Sequence, residues 1–162
     1  MQHEPETVFA TERDWLESTL RDRIALAGFM DLRVNRLDET GIRLDFPLPP
    51  SINDKGTGFG GALASAMILA GWSLPRLALR RHGLAAELVI GRCQLRFTAP
   101  VRSAYSACCD WPADEALESF LTATRGEGKG RLDLAVRIEA EGGVAATLEA
   151  RYAALTPNQE GS

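Results

Sequence analysis

The sequence predicts an α+β domain in which one long, uncharged helix is wrapped by a mostly antiparallel sheet of six strands. Three observations lead there. From Gly56 to Pro75 the chain carries no charge and is dominated by small and apolar residues. Six other segments read as strands, four of them alternating apolar with polar residues, the period-2 signature of half-buried strands. The strands do not alternate with helices one for one, so a parallel βαβ sheet does not fit.

Taken in order, Trp15 to Met30 reads as a first helix. Trp15, Leu16, Leu20, Ile24 and Ala27 share a face, and Thr11 with Asp14 resembles a capping pair. Leu32 and Val34 open a hairpin whose turn is Asp38-Glu39-Thr40-Gly41. Its second arm runs through Ile42, Leu44, Phe46 and Leu48. Pro47, Pro49 and Pro50 end that arm, because proline cannot donate to a ladder.

The long helix follows a glycine loop and spans roughly Gly60 to Arg81. Small residues at Ala62, Ala64, Ser65, Ala66, Ala70 and Gly71 let it lie close to a sheet. Pro75 should bend it near Gly71. Arg76, Arg80, Arg81 and His82 occupy its C-terminal end, where positive charge is favoured, and Gly83 caps it. The remaining strands are Glu87 to Thr98, Ala104 to Asp110, Leu132 to Ile138 and Ala146 to Tyr152, the last two joined at Gly142-Gly143. Leu117 to Arg125 reads as a short amphipathic turn or irregular segment. The whole chain, 1–162, is one domain with its core at about 11–156 and a frayed tail at 157–162.

Composition narrows the function. Apolar residues make up 45% and charged residues 25%, and the net charge is -4, so neither nucleic acid nor a membrane is an expected partner. The uncharged stretch is rich in glycine, alanine and serine, which suits a buried helix better than a membrane span. Met1 to Asp14 carries acids and no apolar core, unlike a signal peptide. Cys93, Cys108 and Cys109 form no CxxC pair and read as reduced thiols in a cytoplasmic protein. The two histidines, His3 and His82, give no metal site and no Ser-His-Asp triad, and neither Cys108 nor Cys109 has a histidine near it in sequence.

The loop "NDKGTGFGG", Asn53 to Gly61, carries the site. Gly56, Gly58 and Gly61 match the G-x-G-x-x-G dinucleotide fingerprint, but the preceding strand alternates and prolines intervene, so the context is wrong. The glycines can also serve tight loop–helix packing alone. The chemical reading is that a helix starting at Gly60-Gly61 presents free N–H groups and a positive dipole end to a carbonyl oxygen. Asn53 would add an amide or position a water.

Asn53, Gly56, Phe59, Gly60 and Gly61 ahead of a long apolar helix, together with "RFTAPV" from Arg96 to Val101, resemble the hotdog-fold thioesterase superfamily. The run "NDKGTGFGGALASAMILAGW" is more similar still to the thioesterase family that also occurs as the C-terminal half of certain bacterial acetyltransferase fusions. The resemblance spans about Thr11 to Thr156. It implies a hotdog fold, a homodimer or dimer of dimers, and acyl thioesters of coenzyme A or a carrier protein as substrates, with no cofactor beyond that coenzyme A.

The same resemblance marks a departure. Many hotdog thioesterases carry a catalytic Asp or Glu nine residues after the Phe or His of the motif, and here that position is Ile68. Asp54 is the nearest acid in sequence; a solvated loop charge explains it as well. Ser65 is the one early hydroxyl of the helix, equally explained by packing. The candidate catalytic set is thus Asn53, Asp54, Gly60 and Gly61. Phe59, Ser65 and Ile68 are expected to line the substrate, and Arg92, Arg96 and Arg102 to hold the nucleotide, unless they form a solvated strand face. Hydrolysis is the favoured reading. A non-catalytic acyl-thioester binder and a structural dimer are the alternatives.

Overall fold

The uncharged stretch after the glycine loop does become the centre of the molecule. The computed structural model describes residues 5–157, and it places the long helix α3 over Gly60–Arg81. Before it come α1 (Pro5–Arg23), α2 (Ala25–Phe29), β1 (Arg33–Leu37) and β2 (Gly41–Phe46). After it come β3 (Glu87–Phe97), β4 (Tyr105–Asp110), α4 (Asp114–Glu127), β5 (Lys129–Ala140) and β6 (Gly143–Leu155). The strands form one six-stranded sheet in the order β1-β2-β4-β5-β6-β3, every neighbouring pair antiparallel. The sheet curls around α3, which is the hotdog arrangement. The residues from Asn158 on, expected to fray, lie outside those described.

The core is the contact between α3 and the inward residues of the strands. Leu63, Met67, Ala70, Leu74 and Leu77 of α3 are buried against Leu44, Phe46, Ile138, Leu148 and Tyr152, among others. A buried side chain of this size contributes about 1.5–3 kcal/mol. By length and composition α3 is long and apolar enough to cross a membrane, but two-thirds of its most apolar stretch is buried within the protein.

Gly71 has a packing role distinct from easing Pro75. A Cβ at Gly71 would collide with the Tyr152 hydroxyl. That hydroxyl donates a hydrogen bond of 2.7 Å to the carbonyl of Ile68, tying β6 to the helix backbone. The helix runs on through Pro75 without stopping.

Three readings of the sequence need correction. The first helix starts at Pro5 and breaks at Ile24, whose backbone is extended, before the short α2. Thr11 is therefore not a cap: it lies inside α1, and its hydroxyl bonds to the Thr7 carbonyl. The segment read as irregular is the 14-residue helix α4. Leu117, Phe120, Leu121 and Thr124 recur at helical spacing and face the core side, and Gly128 closes the helix at φ 72°.

Strand β3 is the exception to burial. It is the last strand of the sheet and pairs only with β6, so its other edge has no strand beside it. From Gly91 to Phe97 every residue is exposed.

Candidate active site

The loop ahead of α3 is built around one side chain. The Asn53 carbonyl oxygen accepts hydrogen bonds from the N–H groups of Lys55 and Thr57, at 2.9 and 3.0 Å. Its amide nitrogen reaches the Thr57 hydroxyl at 3.0 Å, and its backbone N–H donates to the Thr57 carbonyl. The chain turns within these bonds at Gly56, whose φ of 78° favours glycine. Asn53 thus shapes the loop with the amide that sequence reasoning aimed at the substrate.

The loop is then anchored to the sheet. Phe59 donates its N–H to the Ser51 carbonyl and Gly58 donates to the Val101 carbonyl, each at 2.7 Å. Ser51 is buried, and its hydroxyl shares a 2.8 Å hydrogen bond with the Tyr105 hydroxyl. Tyr105 in turn stacks on Phe46, with ring centroids 5.2 Å apart. Burial pushes the Tyr105 phenol above its ordinary range, so it stays protonated at neutral pH. Neither Ser51 nor Tyr105 was identifiable from the sequence. Nothing in the run "PPSIND" marks its serine, and the partner lies 54 positions away.

These anchors leave the start of α3 open. Leu63 is the first residue of the helix to donate to a carbonyl, that of Phe59. The N–H groups of Gly60, Gly61 and Ala62 precede it and have no backbone partner among the described residues, and no side chain caps them. They adjoin an open cleft of about 390 Å³ lined by Gly58, Gly60, Leu63, Phe97 and the segment Thr98 to Val101. The Phe97 ring lies 3.6 Å from where a Cβ of Gly60 would be, and the Phe59 ring occupies the position of one on Gly61. Both rings are half exposed, Phe59 at 57% and Phe97 at 50%.

The remaining candidates divide. Ser65 returns its hydroxyl to the Gly61 carbonyl at 2.8 Å. Gly61, Ser65, Ile68, Trp72 and Arg76 follow one another at helical spacing and form the stripe of α3 that is not buried in the core. Asp54 lies in solvent, its side chain 82% exposed and 3.4 Å from Lys55. Among the described residues no carboxylate lines the cleft beside Gly60. Among the described residues no group of three or more His, Cys, Asp or Glu side chains is placed to hold a metal ion.

The three arginines do not join the glycines. Residues directly opposite in an antiparallel pair share a face. Leu95 and Phe97 face the buried Leu148 and Ala146 across the β3–β6 ladder, so they lie on the helix side. Arg92 and Arg96 pair with Arg151 and Thr147 and lie on the outer side. Arg92 acts there on Asp133, whose carboxyl is held below its ordinary range mainly by the Arg151 hydrogen bond. Arg102 is exposed on the loop after β3, with its backbone N–H on the Glu141 carboxylate.

The family model described as "Putative thioesterase (yiiD_Cterm)" matches residues 13–156. No curated protein matches the chain. Among solved structures, a protein of unknown function from Chlorobaculum tepidum superposes with a TM-score of 0.83 at 28% identity, covering 94% of this chain and 97% of the other. A "putative thioesterase" from Shewanella oneidensis gives 0.80 at 23% identity, with 91% and 99% covered. A thioesterase from Haemophilus influenzae gives 0.67 at 13% identity, covering 100% and 97%, which bears on the fold.

Proposed function

From the premise that the chain belongs to this thioesterase family, we propose that it hydrolyses an acyl thioester at the N-terminal end of α3. The observation that carries the reading is the set of unpartnered N–H groups at Gly60, Gly61 and Ala62, opening on a cleft floored by glycine. A thioester carbonyl seated there accepts two of these hydrogen bonds. Negative charge that develops on its oxygen in the tetrahedral intermediate then meets fixed donors and the positive end of the helix. Phe59 and Phe97 flank the acyl group, and Ser65 and Ile68 continue the same stripe of α3 along its path. Asn53 acts by fixing the loop that delivers Phe59 and the two glycines.

The base belongs to the less complete part of the site. Water must lose a proton as it attacks, and Asp54 is the one acid on the loop, while Ile68 stands where a carboxylate would serve. A second copy of the chain is the other source. The open edge of β3 pairs with that copy, giving a homodimer, or a dimer of dimers, whose sheet is continuous and whose partner loop closes the cleft. The carrier is coenzyme A or a carrier protein, and the three free thiols suit a cytoplasmic setting.

Assay of a series of acyl-CoA chain lengths is expected to show hydrolysis of at least one. Asn53→Ala, which frees the loop that positions the N–H donors of α3, is expected to lower that rate about a hundredfold while the fold survives. Full activity in the variant would move the site elsewhere. The absence of a carboxylate from the cleft favours a second reading, a binder of acyl thioesters without turnover. Native mass spectrometry that finds acyl-CoA bound and intact after incubation would establish it.

A further inference from the structure

Sequence reasoning assigned the basic run at the C-terminal end of α3 to the helix dipole, and the structure splits that run into two functions. Arg81 is engaged: its guanidinium makes two hydrogen bonds to the Glu12 carboxylate. Arg76 and Arg80 are not. Neither has a carboxylate within ion-pair distance among the described residues. Both guanidinium groups are instead held over the same indole, that of Trp15, at 4.4 Å for Arg80 and 5.5 Å for Arg76. The helix end does not call on them for capping. The Ala78, Leu79 and Arg80 carbonyls already accept hydrogen bonds from the N–H groups of His82, Leu84 and Gly83.

The two arginines also edge a cleft. It measures about 500 Å³ and is lined by Arg76, Arg80, the segment Gly83 to Glu87, and Pro157. Among the described residues Glu87 is the one carboxylate lining it, and it pairs with neither arginine. A guanidinium held over an aromatic ring by cation–π attraction still has N–H groups to donate to an oxyanion, and two such groups suit the several oxygens of a phosphate. Arg76 lies on the same stripe of α3 as Gly61. Fifteen residues at 1.5 Å each put them about 22 Å apart along the helix axis.

We propose that Arg76 and Arg80, held over Trp15, form a phosphate-binding subsite in the cleft between the end of α3 and the start of β3. The assignment stands on this geometry, and only the source of the phosphate rests on the thioesterase reading.

Titration of the intact protein with inorganic phosphate, followed by amide NMR, tests it. Resonances of Gly83 to Ala86 are expected to shift at millimolar phosphate, and sodium chloride at equal ionic strength is expected to leave them in place. Arg76→Gln, which keeps the Arg80–Trp15 contact, and the pair Arg76→Gln with Arg80→Gln are expected to weaken binding, the pair at least tenfold. Arg131→Gln, the same charge change on the outer sheet face, is expected to have no effect. Unshifted resonances, shifts reproduced by chloride, or shifts that survive in the double variant would each overturn the subsite. A second arm identifies the source. If phosphate competes with acyl-CoA but not with an acyl thioester of a small phosphate-free thiol, the group bound is the substrate's own phosphate. If it affects neither, the subsite serves a free phosphate. If no thioester is turned over at all, the proposed hydrolysis fails while the phosphate titration still decides the subsite.

Discussion

The two ends of α3 are treated in opposite ways. At the C-terminal end, α1 lies across the helix. Glu12 holds Arg81 in a two-pronged ion pair at 2.8 and 3.0 Å, and the Phe9 and Trp111 rings flank the same guanidinium. At the N-terminal end, among the described residues, no side chain caps the helix and its first three N–H groups have no backbone partner, and two of its first residues are glycines. One end is fastened by long side chains from a neighbouring element. The other is held through the backbone just ahead of it, which bonds to Ser51 and Val101, and through its buried Leu63. A helix that must present bare donors cannot also satisfy them, so its position has to be fixed from the far end and from the loop.

That contrast can be broken most severely at the fastened end. The Glu12 side chain is only 5% exposed. Arg81→Ala strands its carboxylate, and the expected loss is about 3 kcal/mol, or about 2–4 °C of melting temperature for each of those. Calorimetry checks it, and adding Glu12→Gln should restore part of the loss, because the orphaned charge is then gone. A variant as stable as the parent would mean that α1 contributes little to holding α3.

At the open end the largest effect concerns rate. Ile68 is half-buried on the stripe that begins at Gly61. Ile68→Asp is expected to stay folded and to raise hydrolysis of a short acyl-CoA about a hundredfold, the usual contribution of a general base. A folded variant with an unchanged rate would show that residue 68 does not reach the thioester.

Two glycines sharpen the comparison. Gly71→Ala forces a methyl against the Tyr152 ring and hydroxyl, and should cost about 1–3 kcal/mol in chemical denaturation. Gly60→Ala meets nothing closer than 3.6 Å and should change stability by less than about 0.5 kcal/mol. Equal losses would erase the distinction between a packed helix middle and an unencumbered start.

The smallest effect belongs to the outer sheet face. Asp133 is hydrogen-bonded by Arg151, which holds its carboxyl below the ordinary value of 3.8. A lowered folded value means that stabilisation is present above that pH and is lost as pH falls through the folded value. Wild type and Arg151→Gln should therefore differ slightly at neutral pH and converge in acid, as thermal melts across pH would show. The pair is exposed, so the difference should be smaller than any above.

How far all this was legible follows from the kind of signal each part carries. The helix α3 and the alternating strands write their period into the chain, so the fold class was readable. The glycine loop was readable because few other residues suit its turn and helix start. The α4 helix was missed because only four of its residues are turned to the protein, too few to outweigh a run of acids and small residues. Asn53 illustrates the harder limit. Its residue type announces hydrogen bonding, but only coordinates reveal that its partners sit in its own loop. Ser51 and Tyr105 are further still from sequence reasoning, because a contact between chain positions so distant leaves no local trace. Arg92 and Arg96 read either as a nucleotide site or as a solvated strand face, and only the register of β3 against β6 puts them on the outer side, away from the glycines.

The thiols give the molecule a clock of its own. Burial pushes Cys108 up to about 11 and Cys109 up to about 12, while Cys93 sits exposed on β3. A neutral alkylating reagent therefore consumes one sulfur and spares two. If a second copy seated on β3 also covers the Cys93 side chain, that sulfur reacts only during the intervals of separation. The labelling half-life, followed against protein concentration, then counts how often two chains part.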